Sequence, residues 1–148
     1  MLIRDDFLSF KPNLFEIGGR KYVLDKIRKK KVFFTPEEWV RQFIIEYLVE
    51  KLSLSKNLIS VEKKVDKKIK IRYDISFLKP NGDAILLMEC KSPYHNLSFE
   101  TLSQVENYSY YKKSEFIGIT NGILIFFWDC NSKLPIDFFS LKNYLEKK

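Results

Sequence analysis

Residues 71–91 read IRYDISFLKPNGDAILLMECK, and the way this stretch folds decides the rest of the chain. Two apolar runs flank Asn81-Gly82, the strongest short hairpin signal, because both residues tolerate the positive φ of a type I′ turn. With a two-residue loop there, Pro80 faces Asp83, Asp74 falls opposite Glu89, and Arg72 falls opposite Lys91. Side chains alternate along a strand, so Arg72, Asp74, Glu89 and Lys91 share one face. Ile71, Tyr73, Ile75 and Phe77 share the other, which is the expected core face. Directly opposed residues carry Cβ atoms roughly 4.5–5.5 Å apart. Two carboxylates that close repel one another unless a cation lies between them, and hard divalent cations take oxygen ligands.

A plainer reading of the same residues is a square of alternating surface charges, Arg72 paired with Glu89 and Asp74 with Lys91. Such surface pairs are common and contribute little. The strand AILLMEC (Ala84–Cys90), however, is apolar on both faces, as expected for a buried central strand. Asp, Glu and Lys are seldom buried without a specific partner. At the level of residues both readings stay open, since Asp followed by Glu-x-Lys is a short pattern that chance also produces.

The chain has 148 residues, 45% of them hydrophobic and 16% aromatic, which suits one ordered domain spanning residues 1–148. No apolar run reaches the ~18 residues of a membrane span, so no membrane association is expected. The opening MLIRDDFLSFKPN has early acids and no apolar stretch of the kind a signal peptide needs. Cys90 and Cys130 are too few for a disulfide framework, Cys90 reads as a small buried hydrophobe, and a reducing cytoplasm is the expected compartment. The one histidine, His95, reads as a solvated loop residue. The net charge of +7 is concentrated. Residues 20–31 (RKYVLDKIRKKK) hold seven cations and one acid, and residues 62–72 (EKKVDKKIKIR) hold six cations and two acids. Clusters of this kind are the electrostatic footprint of a polyphosphate partner. Isolated lysines would read as ordinary solvated charge, but two clusters beside paired acids favour nucleic acid.

The order of elements follows from local signals. Residues 1–18 read as a short leading segment and Tyr22 to Phe34 as an extended basic run. Thr35-Pro36-Glu37-Glu38 starts a helix: Thr35 as N-cap, Pro36 at the first helical position, and Glu38 completing a capping box. That helix should reach about Leu52, with Val40, Phe43, Ile44, Tyr47 and Leu48 on its apolar face. Strands are expected over residues 58–65, 69–78 and 84–91, and a helix over 97–112. A strand at 116–120, a turn at Asn121-Gly122, a strand at 123–129 and a short helix from Phe138 complete the reading. Helix, strands, helix and strands in a small domain point to an α/β sandwich with a mixed sheet.

Six pieces in order resemble a known family. They are DKIRKKKV (25–32), TPEEWVRQ (35–42), RYDISF (72–77), LLMECKSP (86–93), QVENY (104–108) and TNG (120–122). Together they are similar to the N-terminal domain of the type I restriction enzyme R subunit, over roughly residues 22–128. Residues 1–21 and 138–148 then read as peripheral extensions. The resemblance implies a PD-(D/E)XK restriction-endonuclease-like fold, with a central mixed sheet flanked by helices, and metal-dependent hydrolysis of DNA phosphodiester bonds. It implies that Asp74 and Glu89 are acidic ligands of Mg²⁺ (or Mn²⁺), with the backbone carbonyl of Cys90 as a further ligand. Lys91 would position or activate water and stabilise charge on the phosphoryl group. Gln104 and Tyr108 match a Gln-x-x-x-Tyr motif, on one helix face at i and i+4. Glu38 matches an additional helix glutamate near the metal, although its capping role explains it equally well. Arg41 and Gln42 belong to the same motif with no role derivable from sequence. The family often ends the Gln helix in Arg-Tyr-Asn, where this chain has Asn107-Tyr108-Ser109. No Walker A pattern occurs, so ATP-driven translocation is not expected of this chain. The partners implied are nucleic acid, DNA first, with a homodimer or a specificity or motor subunit as further candidates. The alternative is a module that keeps the nuclease fold and binds nucleic acid or a partner without cutting.

Overall fold

β6 (Ala84–Cys90) explains the architecture, because six of its seven residues are buried and only Glu89 is partly exposed. A strand without a wet face must lie inside a sheet that is covered on both sides. The computed structural model describes residues 1–62, 73–98, 101 and 114–148. In it β6 is third in a six-stranded mixed sheet of order β4-β5-β6-β7-β8-β9. The other strands are β4 (Ile59–Val61), β5 (Ile75–Leu78), β7 (Phe116–Thr120), β8 (Ile125–Asp129) and β9 (Leu134–Ile136). β6 and β7 run parallel, and every other neighbouring pair is antiparallel. The chain is therefore an α/β protein with a mixed sheet, as the element order suggests.

One face of the sheet carries the main core. α1 (Arg4–Ser9), α2 (Pro36–Lys51) and α3 (Phe138–Glu146) supply Phe7, Val40, Phe43, Ile44, Leu48 and Leu141 to a cluster that includes Ile75, Phe77, Leu86, Met88 and Cys90. α2 follows its sequence signals closely: the Thr35 hydroxyl accepts a hydrogen bond from the Glu38 N–H at 3.0 Å, and the helix ends at Lys51. Smaller clusters gather Tyr73 with Ala84 and Leu87, and Ile117 and Ile119 with Leu97 and Trp128. A second sheet, β1 (Leu14–Ile17), β2 (Arg20–Asp25) and β3 (Lys30–Phe33), is antiparallel throughout. Most of the helix expected over 97–112 lies outside the described residues, as do 63–72 of the second basic cluster and the start of the expected 69–78 strand. None of the helices among the described residues is long and apolar enough to cross a membrane.

The hairpin between β5 and β6 differs from the two-residue turn expected at Asn81-Gly82. The Gly82 N–H donates to the Lys79 carbonyl at 2.9 Å, and the Lys79 N–H to the Asp83 carbonyl at 2.8 Å. The loop is thus Pro80-Asn81-Gly82, and of these residues only Gly82, at φ 90°, has a positive φ. The reason is Pro80. It has no N–H for the closing pair of a two-residue hairpin, and it suits the second position of a type I turn. Pro80 therefore does not face Asp83. A register shift between Phe77 and Leu78 then absorbs the extra loop residue, because Leu78 pairs with Ala84 while Phe77 pairs with Leu86. Beyond the shift Ile75 lies opposite Met88, which is the register expected for the Asp74–Glu89 end. A second difference concerns Tyr73, which packs with Leu87 and not with Ile75 and Phe77. β5 begins at Ile75, so strand alternation does not extend back to residue 73.

The leading residues are part of the core. Met1 and Ile3 bond to the β7–β8 turn and β8, and Phe7 packs against Trp39 at 4.4 Å and Phe43 at 5.3 Å between ring centroids. Asn121 and Gly122 form the expected turn, and Gly122, at φ 84°, lies against the Phe7 ring. Phe7→Ala is expected to cost about 3–5 kcal/mol in urea denaturation, and a loss below about 1 kcal/mol would show that α1 is dispensable packing.

Candidate active site

The carboxyl end of β6 carries Glu89, Cys90 and Lys91, and Asp74 reaches it from just before β5. Asp74 stands where ladder pairing stops. Its carbonyl accepts from the Glu62 N–H at 2.9 Å, while its carboxylate takes the place of a strand neighbour and accepts the Cys90 N–H at 2.6 Å. The other carboxylate oxygen accepts from Arg41 Nη2 at 2.7 Å. Lys91 Nζ lies 2.7 Å from Glu89 Oε1, and the Lys91 N–H is fixed by the Thr120 carbonyl of β7 at 2.8 Å. Beyond Lys91, Asn121 Nδ2 donates to the His95 carbonyl at 2.9 Å, tying the following loop to the β7–β8 turn. His95 itself is exposed, as expected.

These groups sense one another. Burial, and then the charge of Asp74, pushes the Glu89 carboxyl up to about 7 against the opposing pull of Lys91. Glu37 is raised by burial and then by Asp74. Burial works against protonation of Lys91, yet its hydrogen bond to Glu89, with the charges of Glu89, Asp74 and Glu37, holds its pKa above the ordinary lysine value. The Cys90 thiol is pushed well up by burial first, and its side chain belongs to the core, which leaves the strand's backbone as what Cys90 offers the site.

Behind Asp74 lies a buried ion network that the sequence does not advertise. Arg41 reaches Asp74 and Glu37 with Nη2 and Glu38 with Nη1. Arg28 donates to Asp25 at 2.6 Å, Glu38 at 2.5 Å and Glu62 at 2.9 Å. Gln42 donates to Asp25 at 3.0 Å and Glu38 at 2.8 Å. Asp25 is fully buried, and its Oδ1 also caps the Ile27 and Arg28 N–H groups. The Glu38 carboxylate is therefore held between Arg28, Arg41 and Gln42 and does not turn back on the Thr35 N–H to complete a capping box. Glu37, rather than Glu38, is the helix glutamate that faces Asp74, Glu89 and Lys91 electrostatically. Arg41 and Gln42, without a role in sequence, are the third and fourth residues after Glu38 and so lie on its helix face. Asp25, Arg28 and Glu62 were missed; Asp-x-x-Arg at residues 25–28, an Asx turn beside a cation, is the one local signal that marks them.

Gln104 and Tyr108 lie outside the described residues, and so does Arg72. Among the described residues no group of three or more His, Cys, Asp and Glu side chains is disposed to hold a metal ion. Asp74 and Glu89 offer two hard oxygen donors, and the Cys90 carbonyl is a third of the same hardness. A carboxyl raised first by burial and then by the charge of its neighbour is a site where added positive charge is favourable, so this donor chemistry fits Mg²⁺. Residues 36–141 match the family described as the type I restriction enzyme R protein N terminus. No curated protein matches the chain.

Removing Arg41 strands buried acids, so Arg41→Ala is expected to cost about 3–5 kcal/mol. Lys91→Ala, at the rim of the site, is expected to cost about 1 kcal/mol or less; equal losses in denaturant titrations would contradict this ranking. Because folding raises the Glu89 carboxyl from 4.5 to about 7, Glu89 favours the fold below pH 4.5 and that contribution is lost as pH climbs through 7. In metal-free buffer Glu89→Gln should therefore be more stable than the parent at pH 8 and should flatten its decline between pH 5 and 8. A steeper decline in the variant would reverse the assignment.

Proposed function

The chain belongs to the family of type I restriction enzyme R protein N termini, and on that premise we propose that it is a metal-dependent endonuclease of PD-(D/E)XK type. The reaction is hydrolysis of a DNA phosphodiester bond. The observation that carries this reading is the convergence of Asp74, Glu89 and Lys91 at the end of a buried central strand, with Glu89 raised to about 7 by burial and by Asp74.

In this reading Asp74, Glu89 and the Cys90 carbonyl hold Mg²⁺, or Mn²⁺ in its place. The bound ion supplies Lewis-acid stabilisation of the phosphoryl charge and a water of lowered pKa. Lys91, kept cationic by its contact with Glu89, donates hydrogen bonds to the attacking water or to a non-bridging phosphate oxygen. Arg41 fixes one oxygen of Asp74 and the Cys90 N–H fixes the other, which sets the carboxylate's orientation before substrate arrives. Glu37 adds negative potential at the mouth. Gln104 and Tyr108 are proposed to organise the same site or to contact the substrate backbone, as the family motif implies. A homodimer would place two such sites for cutting both strands, a partner subunit would supply specificity, and the cytoplasm is the proposed compartment.

One observation favours a second reading. Asp74 already has Arg41 as a cationic partner, and Glu89 already has Lys91. A site neutralised by its own chain suits a module that binds nucleic acid or a partner without cutting it.

Incubating supercoiled plasmid with the purified protein separates the two. With Mg²⁺ or Mn²⁺ the parent should nick the plasmid, and the products should vanish in EDTA and in Lys91→Ala, with Asp74→Asn falling at least a hundredfold, on the order expected for loss of an electrostatic stabiliser. Salt-sensitive binding without nicking would establish the second reading.

A further inference from the structure

The outer face of the three-stranded sheet β1-β2-β3 carries aromatic rings in a row. Phe15 pairs with Tyr22, and Tyr22 pairs with Phe33, so three rings stand side by side on neighbouring strands about 5 Å apart. Strand alternation puts Ile17, Arg20, Leu24 and Lys31 on the same face. The inner face is the one that buries Val23 and Asp25. On the outer face no residue is buried, and Phe33 is 54% and Ile17 50% exposed. An exposed apolar row on a sheet face is costly unless something covers it.

Its charge says what that cover is. The sheet's two acids, Glu16 and Asp25, both lie on the inner face by register, so the outer face presents only cations. Arg20 lies opposite Ile17 at one end of the row. Lys31 holds its ammonium 4.4 Å from the centre of the Phe15 ring. Exposed Lys26 and Lys29 continue the positive edge through the β2–β3 turn. Tyr22 meets Phe33 edge-on, with an angle of 76° between the rings at 5.9 Å. The two rings do not stack face to face on each other, so a flat ligand can do so. Rings flanked by cations on an acid-free sheet face match the needs of unpaired nucleotides, whose bases stack on aromatic faces while their phosphates meet Lys and Arg.

We propose that this face binds single-stranded nucleic acid, with bases stacked on Phe15, Tyr22 and Phe33 and phosphates held by Arg20 and Lys31. Residues 14–33 precede residues 36–141, the span matched to the family. The proposal gives the nuclease reading a substrate form, unpaired strand beside the cutting site, but it does not need that reading to hold.

Fluorescence anisotropy tests it with three labelled probes of one length: oligo-dT, the same oligomer with abasic sites throughout, and a duplex. Oligo-dT should bind most tightly. Phe33→Ala and Tyr22→Ala should each weaken it roughly five- to a hundredfold, the range seen when a base loses its stacking ring, and leave the abasic probe unchanged. Lys31→Ala should weaken both single-stranded probes and lower the salt dependence. Phe33→Leu, which keeps an apolar side chain and safeguards folding, should lose the preference for bases over abasic sites. The parent should bind oligo-dT equally in EDTA, which removes the metal that cleavage needs, so loss of cleavage and loss of stacking are read separately. Equal binding of oligo-dT and the abasic probe would overturn the proposal. So would sedimentation showing a dimer that Phe33→Ala dissociates while oligo-dT binding is unaffected, since the row would then be a subunit contact.

Discussion

Arg41 is the residue on which the site depends. Its side chain is 5% exposed and joins Glu37, Glu38 and Asp74, so one helix residue ties the start of α2 to the acid just before β5. A buried charge is tolerable when opposite charge is paired with it. Both terminal nitrogens of Arg41 are so paired, although its buried Nε has no hydrogen-bond partner. Pairing Arg41 fixes Asp74, and fixing Asp74 places a carboxylate on the Cys90 N–H beside Glu89. Arg28 repeats the arrangement one layer back, joining Asp25, Glu38 and Glu62. Six carboxylates thus surround three cations, counting Lys91, and the surplus is negative where Glu89 is raised.

The sheet places this charge where a substrate can reach it. β6 is buried along its length, so its carboxyl end is the point at which it meets solvent, and the parallel neighbour β7 fixes the Lys91 backbone there. Glu89 lies within β6, and Asp74 and Lys91 sit immediately beside the ends of β5 and β6, which favours the positional tolerance that phosphoryl chemistry demands. The aromatic sheet built by β1–β3 is joined to the same machinery through Asp25, the last residue of β2, and Arg28 in the turn that follows. The segment that presents the aromatic face therefore also anchors the second arginine of the ion network.

Much of this is legible in the chain before it folds. Thr35-Pro36-Glu37-Glu38 announces α2 because a cap and a proline act locally. AILLMEC announces a central strand because burial on both faces removes alternation. The turn was legible in place but not in type, since Asn81-Gly82 outweighs Pro80 only when the missing N–H of proline is ignored. The Ile75–Met88 register is nevertheless the expected one, because the shift near Phe77 compensated for the longer loop. Tyr73 escaped prediction for a related reason: a periodic pattern carries no mark where a strand begins.

The order of residues by itself announces α2, the central strands, the mixed α/β class, the hairpin that brings Asp74 towards Glu89 and the concentration of positive charge. These depend on neighbours within a few residues, where backbone preference and side-chain alternation act directly. It does not announce α1 or the β1–β3 sheet, where it reads as a leading segment and an extended run, or β9. Only the tertiary structure decided who pairs with whom among the charges. Glu38 left its capping role for two arginines, Glu37 turned to the site, and Asp25, Arg28 and Glu62, up to 37 positions apart in the chain, closed one network. Electrostatic partners are chosen by distance and burial in space, and neither is written in the order of residues.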